Sequence, residues 1–199
     1  MSVLRFVPQA VLDKFEVHDW RNGLAVLTAV QPNAASDVFE VLAEFKLYKN
    51  FVFAVNDDGS SAKHGNKGPV AKWIDSRLGS RGWSAKRFET FIELDGSRRR
   101  SPTHEIDCYK SRVALEVEWR NKDPFFDRDL NNFRILFDLG AIDVGIIITR
   151  GETLQEFART LKCGGFGESN TYFGNLKPRI EGGGAGGCPV IAFGIRSSA

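Results

Sequence analysis

The chain has 199 residues, 42% of them hydrophobic, and 27 Lys and Arg against 25 Asp and Glu give a formal net charge of +2. That length buries a core without disulfides or structural zinc, and so small a net charge does not by itself announce a nucleic-acid partner. Three scattered cysteines, Cys108, Cys163 and Cys188, with no CxxC pair, exclude a disulfide framework and a zinc module. With no signal-like N-terminal run and no stretch near the roughly 18 apolar residues of a membrane span, a soluble cytoplasmic protein is expected.

Along the chain, helical spacing first occurs at Val38, Val41, Leu42 and Phe45, with Ser36 or Asp37 placed to cap. A second helix is expected after Pro69, burying Val70, Trp73, Ile74 and Leu78. Phe88–Leu94, His104–Tyr109 and Arg112–Trp119 alternate between apolar and polar residues, as half-buried strands do. A third helix runs from about Asp127 to Asp138, with Leu130, Phe133, Leu136 and Phe137 inward. Val144–Ile148 and Val190–Ile195 are nearly continuous apolar runs, expected as central strands covered on both sides. Gly182–Gly187 reads as a flexible connector before the last of these. Interleaved helices and strands predict one α/β domain over residues 1–199, a mixed central β-sheet flanked by helices.

Charge is uneven. From Ser61 to Arg100 there are ten Lys or Arg against four Asp or Glu, including Lys63, Lys67, Lys86, Arg87 and the run Arg98, Arg99, Arg100. Such a zone suits a phosphate-binding face, although a solvated lysine-rich surface has the same composition.

The chemistry-bearing segment is His104–Trp119. In the strand Arg112–Trp119, Val113, Leu115, Val117 and Trp119 share one face, while Ala114, Glu116 and Glu118 share the other. Asp107 lies on the preceding strand, across a turn through Lys110 and Ser111. An antiparallel hairpin there is expected to set it opposite Ala114–Leu115, diagonal to Glu116. Three converging carboxylates repel one another, and a hard divalent cation such as Mg²⁺ relieves that repulsion and can activate a phosphodiester and a water. An amphipathic hairpin with a solvated acidic face accounts for the spacing equally well. Cys108 alternates away from Asp107 into the core, and His18, His64 and His104 show no metal spacing and read as ordinary surface or strand residues.

Asp107, Glu116 and Glu118, set in Ile106-Asp107 and Arg112-Val-Ala-Leu-Glu-Val-Glu118, resemble the type II restriction endonucleases of the BglII/BstYI group, in the PD-(D/E)xK nuclease superfamily. The likeness continues through Pro124-Phe125, the following helix and Ile142–Ile148. It also takes in Gly68-Pro69-Val70, Gly82-Trp83 and the stretch from Tyr172 to Ile195, about two-thirds of the chain in all. The resemblance implies a restriction-endonuclease-like fold and a homodimer cutting double-stranded DNA at a short palindromic site with Mg²⁺, leaving 5′-phosphate and 3′-hydroxyl ends. It makes Asp107 and Glu116 the metal ligands, joined by the backbone carbonyl of Val117. Position 118 departs from the pattern: most of the superfamily has Lys, the BglII/BstYI group Gln, and a related restriction enzyme Glu. Glu118 is then either a base for the attacking water or a shaper of its surroundings.

DNA contacts are expected from the loop Arg120, Asn121 and Lys122, where Asn121 matches a polar Asn-containing loop of that group. Asn can read adenine and Arg guanine, while phosphate contact without base reading suits Arg120 and Lys122 equally. Gly164–Asn175, with Ser169 and Asn170, is either a second recognition loop or a surface connection. Lys63, Asn66, Lys67 and Arg99 are candidates for gripping the backbone, with a solvated surface as the alternative. A partner methyltransferase would act on the same DNA site rather than bind the protein. The rivals are a repair or recombination nuclease without sequence preference, and a DNA-binding protein without catalysis.

Overall fold

Strands that read as uninterrupted apolar runs need cover on both faces, and helices from both halves of the chain provide it. The structure, a computed structural model, describes residues 3–48, 51–52, 68–101, 103–161 and 166–199. In chain order its elements are α1 (Gln9–Leu12), β1 (Phe15–Trp20), α2 (Gly23–Val30), α3 (Pro32–Glu44), α4 (Pro69–Gly79), β2 (Ser84–Lys86), β3 (Thr90–Leu94) and β4 (Ser97–Ser101). There follow β5 (Ile106–Lys110), β6 (Val113–Glu118), α5 (Pro124–Asp138), β7 (Val144–Arg150), α6 (Glu152–Thr160), α7 (Phe173–Glu181) and β8 (Val190–Ile195).

Six strands form one mixed sheet in the order β1-β8-β7-β6-β5-β2. The central β6, β7 and β8 are parallel, joined by helical crossovers, and β1, β5 and β2 add antiparallel edges. Every residue of β7 and β8 is buried, as their apolar runs require. Along β6 the expected alternation holds. Val113, Leu115, Val117 and Trp119 join one core with residues of α3 and α4, whereas Ala114 joins a second core with Leu130 and Phe133 of α5 and Leu176 of α7. Glu116 and Glu118 are in phase with Ala114, so they look toward α5. Cys108 is core, as expected.

Helix α5 begins at Pro124, a few residues before the expected start, because Pro suits the first turn. Its close seat on the sheet depends on Gly145, where a Cβ atom would lie 2.3 Å from the Phe133 ring. Helix α4 starts at Pro69 as predicted and buries Val70, Ile74 and Leu78.

Several expectations are corrected. Helix α3 starts at Pro32, not beside Ser36 or Asp37. Neither caps it: the Ser36 hydroxyl donates to Glu40, and the Asp37 carboxylate accepts from Trp83 Nε1 and Lys110 Nζ. The alternating stretch ending at Leu94 is not a half-buried strand, because β3 pairs only with β4 in a separate two-stranded ribbon, and Phe91, Ile92 and Leu94 are exposed. Gly182–Gly187 is a hydrogen-bonded turn rather than a loose connector: Gly184 donates to Arg179 O, Gly186 to Gly183 O, and Ala185 is fully buried. Among the described residues no helix is long and apolar enough to cross a membrane.

Candidate active site

A two-residue turn sets the site. Ser111 and Arg112 both have positive φ, 48° and 63°, the backbone of the tight turns whose twist matches paired strands. No Asn-Gly or Asp-Gly signal marks it. Instead Arg112 is tethered, 2.6 Å from Asp143 and hydrogen-bonded to the Gly140 carbonyl. The turn pairs Lys110 with Val113, Tyr109 with Ala114 and Cys108 with Leu115. Continuing that register sets Asp107 directly opposite Glu116, not opposite Ala114–Leu115. The N–H of Asp107 donates to Glu116 Oε2 at 3.2 Å, and the N–H of Val117 donates to Asp107 Oδ2 at 3.2 Å.

This is no solvated acidic face. Glu116 is 1% exposed and Glu118 2%. Burial, then the nearby Asp129 and Asp107, push the Glu116 carboxyl well above its ordinary range. Glu118 is pushed up to about 9, first by burial and then by Asp129, against the donors Asn121 and Arg128. Glu116 Oε1 has no hydrogen-bond partner among the described residues, which is costly for a buried carboxylate oxygen.

A fourth acid, Asp129 of α5, stands outside the expected set of Asp107, Glu116 and Glu118. It is fully buried, and burial raises its pKa while Arg128 lowers it. Its signal was available: Asp129 stands one turn before Phe133 on the apolar stripe of its helix, where a carboxylate needs a reason. Arg128 provides part of one, with Nη2 2.7 Å from Asp129 Oδ1 and 3.1 Å from Glu118 Oε1. The second oxygen of Glu118 accepts from Asn121 Nδ2.

Glu116, Glu118, Asn121 and Arg128 border a cleft of about 470 Å³ whose lining also includes His104, Asp107 and Arg120. His104 is therefore part of the cleft wall rather than a plain surface residue, its pKa lowered chiefly by burial and Arg128. Among the described residues no three or more His, Cys, Asp or Glu side chains make a metal cage. A cation held by Asp107 and Glu116 would complete its shell with backbone, water and phosphate oxygens, the open arrangement Mg²⁺ accepts.

The two candidate loops meet. Thr171 N–H donates to Asn121 O, Asp123 N–H donates to Ser169 O, and Lys122 and Asn170 form an antiparallel bridge. The Lys122 ammonium lies 3.3 Å from the Ser169 hydroxyl. Beneath them the buried Arg150 donates to Thr171 O at 2.8 Å and lies over the Phe166 ring. Asn121, Lys122 and Ser169 are exposed and Asn170 is buried. Arg120 turns inward to the carbonyls of Phe51 and Val52. Arg99 stands on the exposed ribbon strand β4 and is not among the described residues lining the cleft. Lys63, His64, Asn66 and Lys67 lie outside the described residues.

Residues 15–195, from the first residue of β1 to the last of β8, match the family model described as Restriction endonuclease BglII/BglIII. No curated protein matches the chain.

Proposed function

The chain belongs to the restriction endonuclease BglII/BglIII family, a family of type II site-specific deoxyribonucleases that bind double-stranded DNA, and from that premise we propose that Asp107 and Glu116 form its Mg²⁺-dependent cleavage site. The observation that carries the reading is the pair itself. Two carboxylates face each other across one hairpin at the wall of a cleft, and Glu116 Oε1 is left without a partner. That orphaned oxygen suits a divalent cation, which Asp107, Glu116 and the carbonyl of Val117 would hold. Bound there, the cation supplies charge neutralisation for a phosphodiester and acidity for a water.

The remaining steps fall to the side chains. Water attacks phosphorus and loses a proton to solvent, the bond from phosphorus to O3′ breaks, and the departing O3′ takes up a proton from solvent, leaving 5′-phosphate and 3′-hydroxyl ends. Glu118 orients the attacking water. With no cation bound, burial and then Asp129 raise its carboxyl to about 9, while Asn121 and Arg128 donate to its two oxygens and set their direction. Asn121, Lys122 and Ser169, exposed on two joined loops beside the cleft, are placed to meet base edges or phosphates in a groove. Asn170 is buried and pairs with Lys122, so its part is to hold the two loops together. Arg120 acts as an anchor of the same loop.

Two antiparallel strands must be cut alike, so the reading includes a two-fold dimer on a palindromic site. Lys63, Asn66, Lys67 and Arg99 belong to the phosphate grip, and the enzyme would work in the cytoplasm beside a methyltransferase of the same specificity. The test is digestion of one long duplex of known sequence, with Mg²⁺ and with EDTA, followed by mapping of the ends. Discrete fragments only with Mg²⁺ support the proposal. Structure-dependent nicking, or a gel shift without cleavage, overturns it.

A further inference from the structure

We propose that Arg128 is a catalytic residue of this site, a guanidinium fixed in advance to receive a phosphate of the strand being cut; the inference rests on the nuclease reading above. Arg128 sits in the first turns of α5, its side chain 34% exposed at the cleft wall that Asp107, Glu116 and Glu118 share. Three contacts fix its orientation. The guanidinium carbon lies 4.3 Å from the centre of the Phe125 ring, so the ring backs one face. Nε donates to Asp129 Oδ1 at 2.9 Å, and Nη2 reaches Asp129 and Glu118. Nη1 makes no hydrogen bond among the described residues.

A guanidinium carries five N–H donors in a rigid fork. Here the Nε–Nη2 side is committed to acids of the protein, and the Nη1 side, held on a partly exposed group, is left for a ligand that accepts. In a cleft walled by carboxylates that ligand is an anion able to compete with them, and a phosphodiester oxygen fits. The two acids serve as the frame that stops the fork rotating, so little ordering is needed when phosphate arrives. A surface arginine lacks this: Arg99, on the ribbon, is exposed with nothing buried to frame it.

The test measures single-turnover cleavage and DNA affinity in Ca²⁺ on the cognate duplex, using Arg128→Gln and Arg128→Lys. The Gln variant should cut on the order of 100-fold more slowly, with affinity falling by less than about tenfold. The Lys variant keeps the charge that offsets Asp129, so it should fold and cut on the order of tenfold more slowly, having lost the flat fork. Replacing single phosphates around the cut with neutral methylphosphonates should slow the wild type at one position. At that position the same replacement should barely slow Arg128→Gln further. A purely structural role gives the opposite pattern: Arg128→Gln/Asp129→Asn regains wild-type rate, and the two kinds of change multiply at every phosphate. Either result, or an Arg128→Gln enzyme within about threefold of wild type, overturns the inference. If the wild type cuts no DNA with Mg²⁺ or Mn²⁺, the nuclease reading fails instead.

Discussion

Asp107 and Glu116 each accept a hydrogen bond from the other's strand, Asp107 N–H to Glu116 Oε2 and Val117 N–H to Asp107 Oδ2, both at 3.2 Å. The ladder thereby fixes two carboxylates face to face before any ligand is present. Repulsion that would open a looser pair is held in check by backbone donors, and the remaining imbalance, an unpartnered Glu116 oxygen beside Asp129, is what a cation would relieve.

The first prediction concerns pH and cation removal. Glu118 is raised from 4.5 to about 9 in the fold, and Glu116 and Asp129 shift the same way. Between those values the folded state binds more protons than the unfolded chain. The stability linked to them is present below about pH 4.5 and is lost as pH rises toward about 9. In EDTA the Tm should therefore fall across that window, and Mg²⁺ or Ca²⁺ should restore part of it near the alkaline end. A Tm indifferent to both pH and cation would contradict the buried-acid account.

Glu118→Gln should slow cleavage by roughly tenfold to a hundredfold without abolishing it, because the amide can still accept from Arg128 and orient water. Single-turnover rates in Mg²⁺ and Mn²⁺ check this. Activity undetectable in both metals would make Glu118 an indispensable ligand or base.

Asn121→Ala should cost roughly 1–3 kcal/mol on the cognate site and leave random duplex nearly untouched, if its amide reads a base. It should also lower the rate, since the same Nδ2 holds Glu118. Arg99→Ala, by contrast, should weaken cognate and random DNA alike and reduce the salt slope by about one. Titrations of both duplexes in Ca²⁺ at several salt concentrations separate these patterns. Equal losses for Asn121→Ala would remove it from the readers.

Gly145→Ala should destabilise the protein by about 1–3 kcal/mol, because its methyl would meet the Phe133 ring and lift α5 from β7. Urea denaturation measures it, and adding Phe133→Leu should recover part of the loss. A neutral substitution would mean that α5 can shift freely, and with it Arg128 and Asp129.

Much of this was legible in the residues. The period-two pattern of β6 assigned Glu116 and Glu118 to one face, and the apolar runs at Val144 and Val190 announced the central strands. The register was not legible, because the turn uses Ser111 and Arg112 at positive φ, stabilised by the distant Asp143 and Gly140. Burial of the acids was not legible either, since it depends on α5 lying over β6, a contact between segments with no local signal. Asp37 looked like a cap because its true partners, Trp83 and Lys110, are 46 and 73 residues away. The joining of the two loops beside the cleft is likewise tertiary, made by the Lys122–Asn170 bridge.

The most direct measurement of the central claim is parallel digestion of the same mapped duplex by wild type, Asp107→Ala and Glu116→Ala in Mg²⁺, with thermal melting of each protein. The account predicts discrete fragments from the wild type and no fragments from either variant. Both variants should melt cooperatively, since each removes an acid from a charge-strained patch and, with it, one backbone hydrogen bond of the ladder. A folded Glu116→Ala protein that cuts within about threefold of wild type would contradict the assignment of the site.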